Sequence, residues 1–435
     1  MKFLKSLLRA GTSSVFAISA FTISAFASDT TIIHAGQVLT HPGKAPLQKQ
    51  TITVVDGKIV SVTAGYAKQN NTDATYIDLK NSFVLPGLID SHVHLSMEWN
   101  PNIRLQAVTK RSGDIAFDAM INGQKTLMAG FTSVQDVGGP EEVFALRDAI
   151  NAGKIDGPRI RASGRSVSPT GGHGDTHGYI SKVLDVFRSP TICDGADDCR
   201  RATRAAIKAG ADIVKITATG GVLSNTAAGT GQQFFQDELE AIVQSAAKMG
   251  RQVTAHAHGK AGIESALKAG VKSIQHGTYL DKATVRLFKK YDASLVPTVL
   301  AGMTVVDWAE NKDWLPPASK AKALKVGPQM LNMLRIAHAN GVTIAFGTDS
   351  GVSAHGDNAR EFGYMVEAGM SEMEAIKAAT ITAAERMEMG DIVGAIAAGK
   401  FADIIAVNGN PLDDITELYD VDFVMKNGKV YKNED

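Results

Sequence analysis

Two histidines separated by a single residue stand at the end of an apolar run. His92 and His94 follow the segment 83–90, which reads Phe-Val-Leu-Pro-Gly-Leu-Ile-Asp. In an extended strand alternate side chains point to the same face, so the two imidazoles are predicted to lie side by side. Such a pair suits a borderline divalent cation such as zinc, although paired histidines can also simply end a strand. We interpret the pair as part of a metal site.

A lysine inside another apolar segment carries a second chemical signal. Lys215 lies in the run Ile213-Val214-Lys215-Ile216, where an unpaired ammonium would carry a large desolvation cost. One alternative is a head group that reaches the solvent at the rim, and another is a lysine that forms a Schiff base. With histidines nearby, we favour a neutral amine that captures carbon dioxide, because the resulting carbamate is an anion able to bridge two cations.

Four further candidates stand at the ends of other apolar segments. His256 and His258 share one strand face, and His276 and Asp349 each follow a short apolar run. Taken singly, each has an ordinary structural explanation: His258 and His276 as core histidines, Asp349 as a helix N-cap. As a set with the earlier residues they favour a metalloenzyme.

The elements that must position these residues alternate between strand and helix. An alternation of this kind is typical of a parallel α/β fold, and eight such units predict a (β/α)8 TIM barrel with its active site at the carboxyl ends of the strands. The predicted strands are Phe83–His92, Phe131–Asp136, Arg159–Ser163, Asp212–Thr217, Gln252–His256, Ser273–His276, Ser294–Val299 and Thr343–Thr348. Glycine C′ caps are expected at Gly210, Gly250 and Gly270, and a capping box at Ser371 and Glu374.

Segments of β character lie on both sides of the predicted barrel. Residues 28–82 and 392–435 contain β-branched, apolar stretches without a strong helical pattern. We expect these N- and C-terminal segments to pair into one small β-sandwich domain. The domain organisation is then 1–27, 28–82, 83–391 and 392–435, the first being a signal peptide.

Residues 1–27 read as a secretory signal peptide. Lys2, Lys5 and Arg9 precede the apolar stretch 15–26, and cleavage is expected after Ala27. The stretch is short for a membrane span, so an uncleaved anchor is the weaker alternative. The sequence therefore predicts a periplasmic or secreted protein without membrane contact after cleavage. In such an oxidising compartment a disulfide between Cys193 and Cys199 is favoured over free thiols.

The composition bounds the partners. Hydrophobic residues make up 44% of the 435 residues, which is typical of a globular protein. The chain has 45 basic and 45 acidic residues, and removing the signal leaves three more acidic than basic. Without a basic excess, neither a nucleic acid nor an anionic membrane is expected as a partner. A small-molecule or dipeptide substrate is expected instead, and a homo-oligomer is left open.

The segment 86–94, Pro-Gly-Leu-Ile-Asp-Ser-His-Val-His, together with Lys215, His256, His276 and Asp349, resembles the amidohydrolase superfamily. Within it the chain is similar to the imidazolonepropionase-related, binuclear Xaa-Pro dipeptidase (prolidase) group, notably in the stretches 215–222, 254–259 and 275–278. The resemblance implies two divalent metal ions, with zinc expected. It implies that His92, His94 and Asp349 hold one ion, that His256 and His276 hold the other, and that Lys215, as N6-carboxylysine, bridges them.

The resemblance also implies a reaction. An exported enzyme of this kind would cleave a dipeptide amide, Xaa-Pro or a related one, by attack of a metal-bridging hydroxide, with Asp349 as catalytic base and then acid. The glycine-rich loop 170–178 carries His173, which with His258 and Tyr279 is a candidate for binding the substrate, although the loop can also be read as ordinary surface.

Other readings remain. Hydrolysis of other N-acyl amino acids or of amide-linked toxins would use the same chemistry. A deaminase would need an acid shortly after His256, and imidazolonepropionase lacks the bridging lysine. A non-catalytic periplasmic metal-dependent binding protein is the alternative from a different class.

Overall fold

The computed structural model describes residues 29–68, 72–225 and 229–434. The predicted signal peptide, 1–27, lies outside these residues. Within the described ranges no helix combines the length and the apolar character that crossing a membrane requires.

The chain opens with four strands that contain no intervening helix. They are β1 (Thr30–Val38), β2 (Leu47–Val55), β3 (Lys58–Ala64) and β4 (Thr75–Pro86). β2 and β3 form an antiparallel hairpin around the turn at Asp56 and Gly57. β1 pairs with β2 antiparallel and with β4 parallel. The predicted all-β opening is therefore confirmed.

Eight short parallel strands follow, separated by helices or loops. They are β5 (Leu88–Val93), β6 (Phe131–Asp136), β7 (Arg159–Ala162), β8 (Val214–Thr217), β9 (Val253–Ala257), β10 (Ser273–His276), β11 (Ser294–Val296) and β12 (Thr343–Ile344). One parallel sheet contains β5 to β7 and a second contains β8 to β12. Single parallel bridges join Val93 to Ser350 and Val167 to Ile216 between them. All carboxyl ends consequently lie on one side, as predicted.

The predicted start of the strand Phe83–His92 was wrong. Phe83 belongs to β4, where it pairs with Val407, and the first strand of the parallel sheets begins at Leu88. Gly87 separates the two strands; a Cβ there would lie 2.3 Å from Thr132 Oγ1, so only glycine allows this approach. An apolar run alone does not show where one strand ends and the next begins. The last two predicted strands, Ser294–Val299 and Thr343–Thr348, were likewise too long.

Thirteen α-helices connect or follow the strands in the described residues. They are α1 (Ile103–Thr109), α2 (Ser112–Met128), α3 (Glu142–Asn151), α4 (Ser181–Val186), α5 (Ala196–Ala209), α6 (Gln236–Lys248), α7 (Lys260–Ala269), α8 (Lys282–Lys290), α9 (Val299–Asn311), α10 (Pro317–Ala339), α11 (Arg360–Glu367), α12 (Glu372–Lys377) and α13 (Ala383–Arg386). A π-helical turn, Ala378–Thr382, separates the last two, and a 3₁₀ turn, Ile415–Tyr419, follows later. Gly210, Gly250 and Gly270 have positive φ after helices, and Ser371 with Glu374 forms the predicted capping box.

Three C-terminal strands return to the first sheet. β13 (Ile404–Val407), β14 (Phe423–Lys426) and β15 (Lys429–Asn433) extend it to seven strands in the order β15-β14-β13-β4-β1-β2-β3. The antiparallel pairing of β13 with β4 confirms that the N- and C-terminal segments combine. A separate aliphatic core, which includes Ile33, Ile52 and Ile404, packs on this sheet.

Cys193 and Cys199 form the predicted disulfide, and both are buried. The bond joins the segment before α5 to the first turn of that helix. The same segment is hydrogen-bonded to Ser168, whose carbonyl accepts from the Cys193 N–H at 3.0 Å. The disulfide thus anchors one end of the loop that carries His173.

Candidate active site

The carboxyl ends of the parallel strands bring the predicted metal ligands together. Nitrogen and oxygen donors of His92, His276 and Asp349 all lie within 4.8 Å of one another, and so do donors of His256, His258 and His276. His94 joins the first group, since its Nε2 is 3.1 Å from Asp349 Oδ1. The two groups share His276, so they form one continuous site.

Two of the histidines are oriented by contacts on the far side of the ring. His94 Nδ1 lies 2.7 Å from the carbonyl oxygen of Gly138, which can only accept, so the proton is on Nδ1 and Nε2 is free. His92 Nδ1 lies 2.8 Å from Gln275 Oε1, and Gln275 in turn donates to Thr254 Oγ1 at 2.7 Å. This arrangement, in which a second layer fixes the ring, is typical of metal-ligating histidines.

Burial sets the protonation of the site. It lowers the pKa of His92, His256 and His276 well below the ordinary value, because a charged imidazole is poorly solvated there. Burial also lowers the pKa of Lys215 to about 8. Burial alone would lower the pKa of His94, but the neighbouring Asp349 carboxylate raises it. His92, His256 and His276 are therefore neutral imidazoles, and Lys215 is an amine that is readily deprotonated.

The donors present fit divalent cations. Among the described residues no donor in good geometry reaches the buried Asp349 Oδ1, although His92 Nε2 and His94 Nε2 lie 3.4 and 3.1 Å away. Asp349 and His276 also have φ values of 60° and 71°, which non-glycine residues rarely adopt. A carboxylate oxygen without a hydrogen-bond donor, next to imidazole nitrogens and strained backbone, is suited to ligate a cation, and nitrogen and oxygen ligands suit zinc.

The structure brings both His256 and His258 to the site. His256 Nε2 lies 3.4 Å from the Gly220 carbonyl oxygen, which leaves the unprotonated Nδ1 free to bind a metal ion. His258 Nδ1 lies 2.8 Å from Thr278 Oγ1, which leaves Nε2. Each ring therefore presents one nitrogen, and the predicted choice of His256 as the ligand stays a prediction.

Sequence reasoning assigned no role to Asp90, which lies beneath the site. Its carboxylate accepts from the backbone N–H groups of His92 and Thr348 at 3.0 and 3.1 Å, from Thr348 Oγ1 at 2.6 Å and from Asn358 Nδ2 at 2.8 Å. Burial raises its pKa to about 6, whereas these hydrogen bonds oppose the shift. Asp90 thereby ties the strand of His92 to the segment of Asp349. Its place two residues before His92 was the signal that could have identified it.

A cavity of about 570 Å³ opens above the cluster. Loops and helices after several strands line it with large apolar side chains, including Trp99, Ile103, Tyr179, Phe187, Val305 and Met330. Lys110 and Arg165 also line it, and Lys110 is paired with Asp118. The site thus joins a polar floor to a wide apolar chamber.

Two of the three predicted substrate-binding residues line this cavity. His173 does so, with its ring centroid 4.1 Å from that of His256 and its Nδ1 2.5 Å from Ser224 Oγ. A Cβ on Gly221 would meet the His173 ring at 2.2 Å, so glycine is needed for this packing. His258 also lines the cavity, but Tyr279 does not, and its hydroxyl is buried without a partner among the described residues.

The chain is similar to known proteins over most of its length. Residues 83–431 match the model of the amidohydrolase family. The ochratoxinase of Aspergillus niger is 33% identical over 426 residues, covering 92% of this chain and 86% of that protein.

Two solved structures align along nearly the whole chain. A Xaa-Pro dipeptidase with bound methionine in its active site is 40% identical, with a TM-score of 0.89 and coverage of 93% of this chain and 100% of that one. A prolidase complexed with N-methylphosphonate-L-proline is 31% identical, with a TM-score of 0.84 and the same coverage.

Proposed function

Since this chain belongs to the amidohydrolase family and is a hydrolase of amide bonds, we propose a specific activity for it. We propose that it is an exported dipeptidase that depends on two metal ions. The observation that carries the proposal is the gathering of five histidines, Lys215 and the Asp349 oxygen without a donor at the strand ends. We take the eight parallel strands to close into a (β/α)8 barrel with a β-sandwich beside it. Export is supported by the signal-like segment 1–27 and by the disulfide.

The proposed ligand set uses residues from five strands. His92, His94 and Asp349 would hold one ion and His256 and His276 the other, with zinc as the expected metal. Lys215, whose lowered pKa favours the neutral amine, would react with carbon dioxide and bridge the ions as a carbamate. When bound, the ions would polarise the scissile carbonyl and acidify the attacking water.

The proton transfers fall to Asp349. As a carboxylate beside the scissile carbonyl it would accept the proton of the attacking water and deliver it to the leaving nitrogen. The leaving nitrogen of a Xaa-Pro substrate is a secondary amine, which needs that proton to depart. His173 and His258 line the cavity around this point and would hold the substrate through hydrogen bonds to its polar groups.

The relatives support a leaving group that is an amino acid. One solved relative is a Xaa-Pro dipeptidase that holds methionine, and another holds a phosphonate derivative of proline. Ochratoxinase, by its name, acts on a different compound. The preference on either side of the amide is therefore the quantity to measure.

A second candidate is hydrolysis of a larger N-acyl amino acid or amide-linked toxin. The cavity of about 570 Å³ and its aromatic walls favour it, because a site of this size accommodates ligands larger than a small dipeptide. The chemistry would be unchanged and only the acyl group would differ.

One panel separates these candidates. The purified protein, with zinc and bicarbonate, is assayed on Xaa-Pro dipeptides, on other dipeptides and on N-aroyl amino acids, with metal per chain measured on the same sample. The Asp349→Asn variant, purified in the same way, measures the background activity of any contaminating peptidase. Turnover of dipeptides with two ions per chain supports the proposal, and faster turnover of the aroyl compounds supports the second candidate. Two bound ions per chain without turnover of any compound would favour the alternative of a non-catalytic, metal-dependent binding protein.

A further inference from the structure

The helix that follows the seventh parallel strand starts from a strained residue. Thr298, directly before α9, has φ and ψ of 51° and 42°, in the left-handed region. A β-branched side chain rarely adopts this region because its Cβ crowds the backbone. Strain of this kind persists only where surrounding contacts hold it, and it concentrates at functional sites. The conformation of Thr298 therefore requires a local cause.

The Thr298 side chain does not cap its own helix. A threonine before a helix usually accepts a hydrogen bond from an N–H two or three residues further on. Thr298 makes no such bond. Its Oγ1 lies instead 2.7 Å from Nδ1 of His276, and the residue is fully buried. The hydroxyl is thus directed to a proposed metal ligand.

Glu361, on the distant helix α11, supplies the missing cap. Its two carboxylate oxygens accept hydrogen bonds from the backbone N–H groups of Val299 and Leu300, at 2.9 and 2.7 Å. These are among the N–H groups that a helix cannot satisfy internally. Glu361 is also fully buried. With α9 capped from outside, the threonine hydroxyl is left for His276.

From this exchange we propose that Thr298 and Glu361 are a positioning pair for His276. Glu361 holds the start of α9, the start of α9 holds Thr298 in its strained conformation, and Thr298 fixes the His276 ring. With Thr298 Oγ1 as acceptor, the imidazole proton is on Nδ1, so Nε2 faces the site. The inference rests on the metal centre of the proposed function but does not depend on which amide is cleaved.

A second histidine–threonine pair provides a matched control. His258 Nδ1 lies 2.8 Å from Thr278 Oγ1, in the same site and with the same burial. His258 is proposed to contact the substrate and not a metal ion. Removing the Thr278 hydroxyl should therefore perturb a buried histidine without weakening metal binding.

The test measures zinc binding directly. Wild type, Thr298→Val, Thr298→Ser, Thr278→Val and Glu361→Gln are stripped of metal and titrated with zinc in bicarbonate against a chelator. Thr298→Val should weaken the affinity for one of the two ions by about 10- to 100-fold, the usual effect of losing a hydrogen bond to a metal-ligating histidine. Thr298→Ser should restore the affinity, Glu361→Gln should weaken the same ion, and Thr278→Val should bind both ions as wild type does.

Other results would overturn the proposal. They are wild-type affinity in Thr298→Val and no rescue by Thr298→Ser. Equal losses in Thr298→Val and Thr278→Val would overturn the assignment of His258 to the substrate. Thr298→Val and Thr298→Ser each change one small group, so both variants should fold. The proposal can therefore still be tested if Glu361→Gln does not fold. A wild-type protein that binds no zinc would overturn the metal centre itself. Zinc binding with this pattern but no dipeptide turnover would overturn only the proposed substrate.

Discussion

The seven-stranded sheet and the carboxyl ends of the parallel strands both bury side chains, but only the strand ends bury a cluster of histidines around a lysine and a carboxylate. Most of the fully buried side chains of the sheet are apolar, such as Ile33, Ile52 and Ile404, although the sheet also buries His34 and Lys426. At the strand ends His92 and Lys215 are almost as completely buried. Burial of aliphatic groups stabilises the fold, whereas burial of titratable groups costs free energy unless partners compensate.

The backbone shows the same contrast. Three non-glycine residues with positive φ, His276, Thr298 and Asp349, lie within or directly against the histidine cluster. In the seven-stranded sheet, the non-glycine residues Asp56 and Asn427 have positive φ in turns, and Lys49 has positive φ within β2. The strand ends are therefore kept in a costly arrangement, which is the usual property of a functional site.

The largest expected effect comes from removing one oxygen at the strand ends. Asp349→Asn keeps the shape of the side chain but cannot accept and return a proton, so kcat should fall by about 10²- to 10⁴-fold. Metal content per chain should stay near wild type, measured on the same preparation. Turnover close to wild type would remove Asp349 from its proposed role and weaken the contrast between the two regions.

The two neighbouring histidines should respond differently to replacement. His256→Ala is expected to lose one of two ions per chain, because it removes a proposed ligand. His258→Ala should keep both ions but raise KM about 10- to 100-fold, the effect expected for losing a hydrogen bond to a charged group. Metal analysis and steady-state kinetics decide between them, and the reverse pattern would make His258 the ligand.

Many residues of the strand-end site could be predicted from the sequence, because short local patterns identify them. His92 and His94 are paired by strand periodicity, and Lys215 stands out in an apolar run. The residues missed are those whose partners are distant in the chain. Glu361 meets Val299 across 62 positions, and no spacing or motif connects them. The cavity walls were also missed, because they come from α1, α9, α10 and the loop before α5, whose packing no periodicity specifies.

The third prediction concerns pH and the proposed carbamate. Because the pKa of Lys215 is lowered to about 8, its neutral, reactive fraction should rise from about one tenth at pH 7 to about one half at pH 8. The rate at which stripped enzyme regains activity with zinc should therefore rise about fivefold over that interval, at fixed dissolved carbon dioxide. Activity regained at the same rate without carbon dioxide would argue against the carbamate.

The smallest effect on turnover is expected in the seven-stranded sheet, where the effect on stability is large. Ile52→Ala removes a fully buried side chain from the aliphatic core and should lower the free energy of unfolding by about 2–5 kcal/mol, whereas Ile52→Val should cost only about 0.5–1.5 kcal/mol. Denaturant unfolding measures both losses. Since Ile52 lies in a core separate from that of the parallel strands, kcat per folded molecule should stay unchanged. A kcat that falls in step with stability would show that the two regions are coupled, and that the sheet helps to hold the strand ends in their strained arrangement.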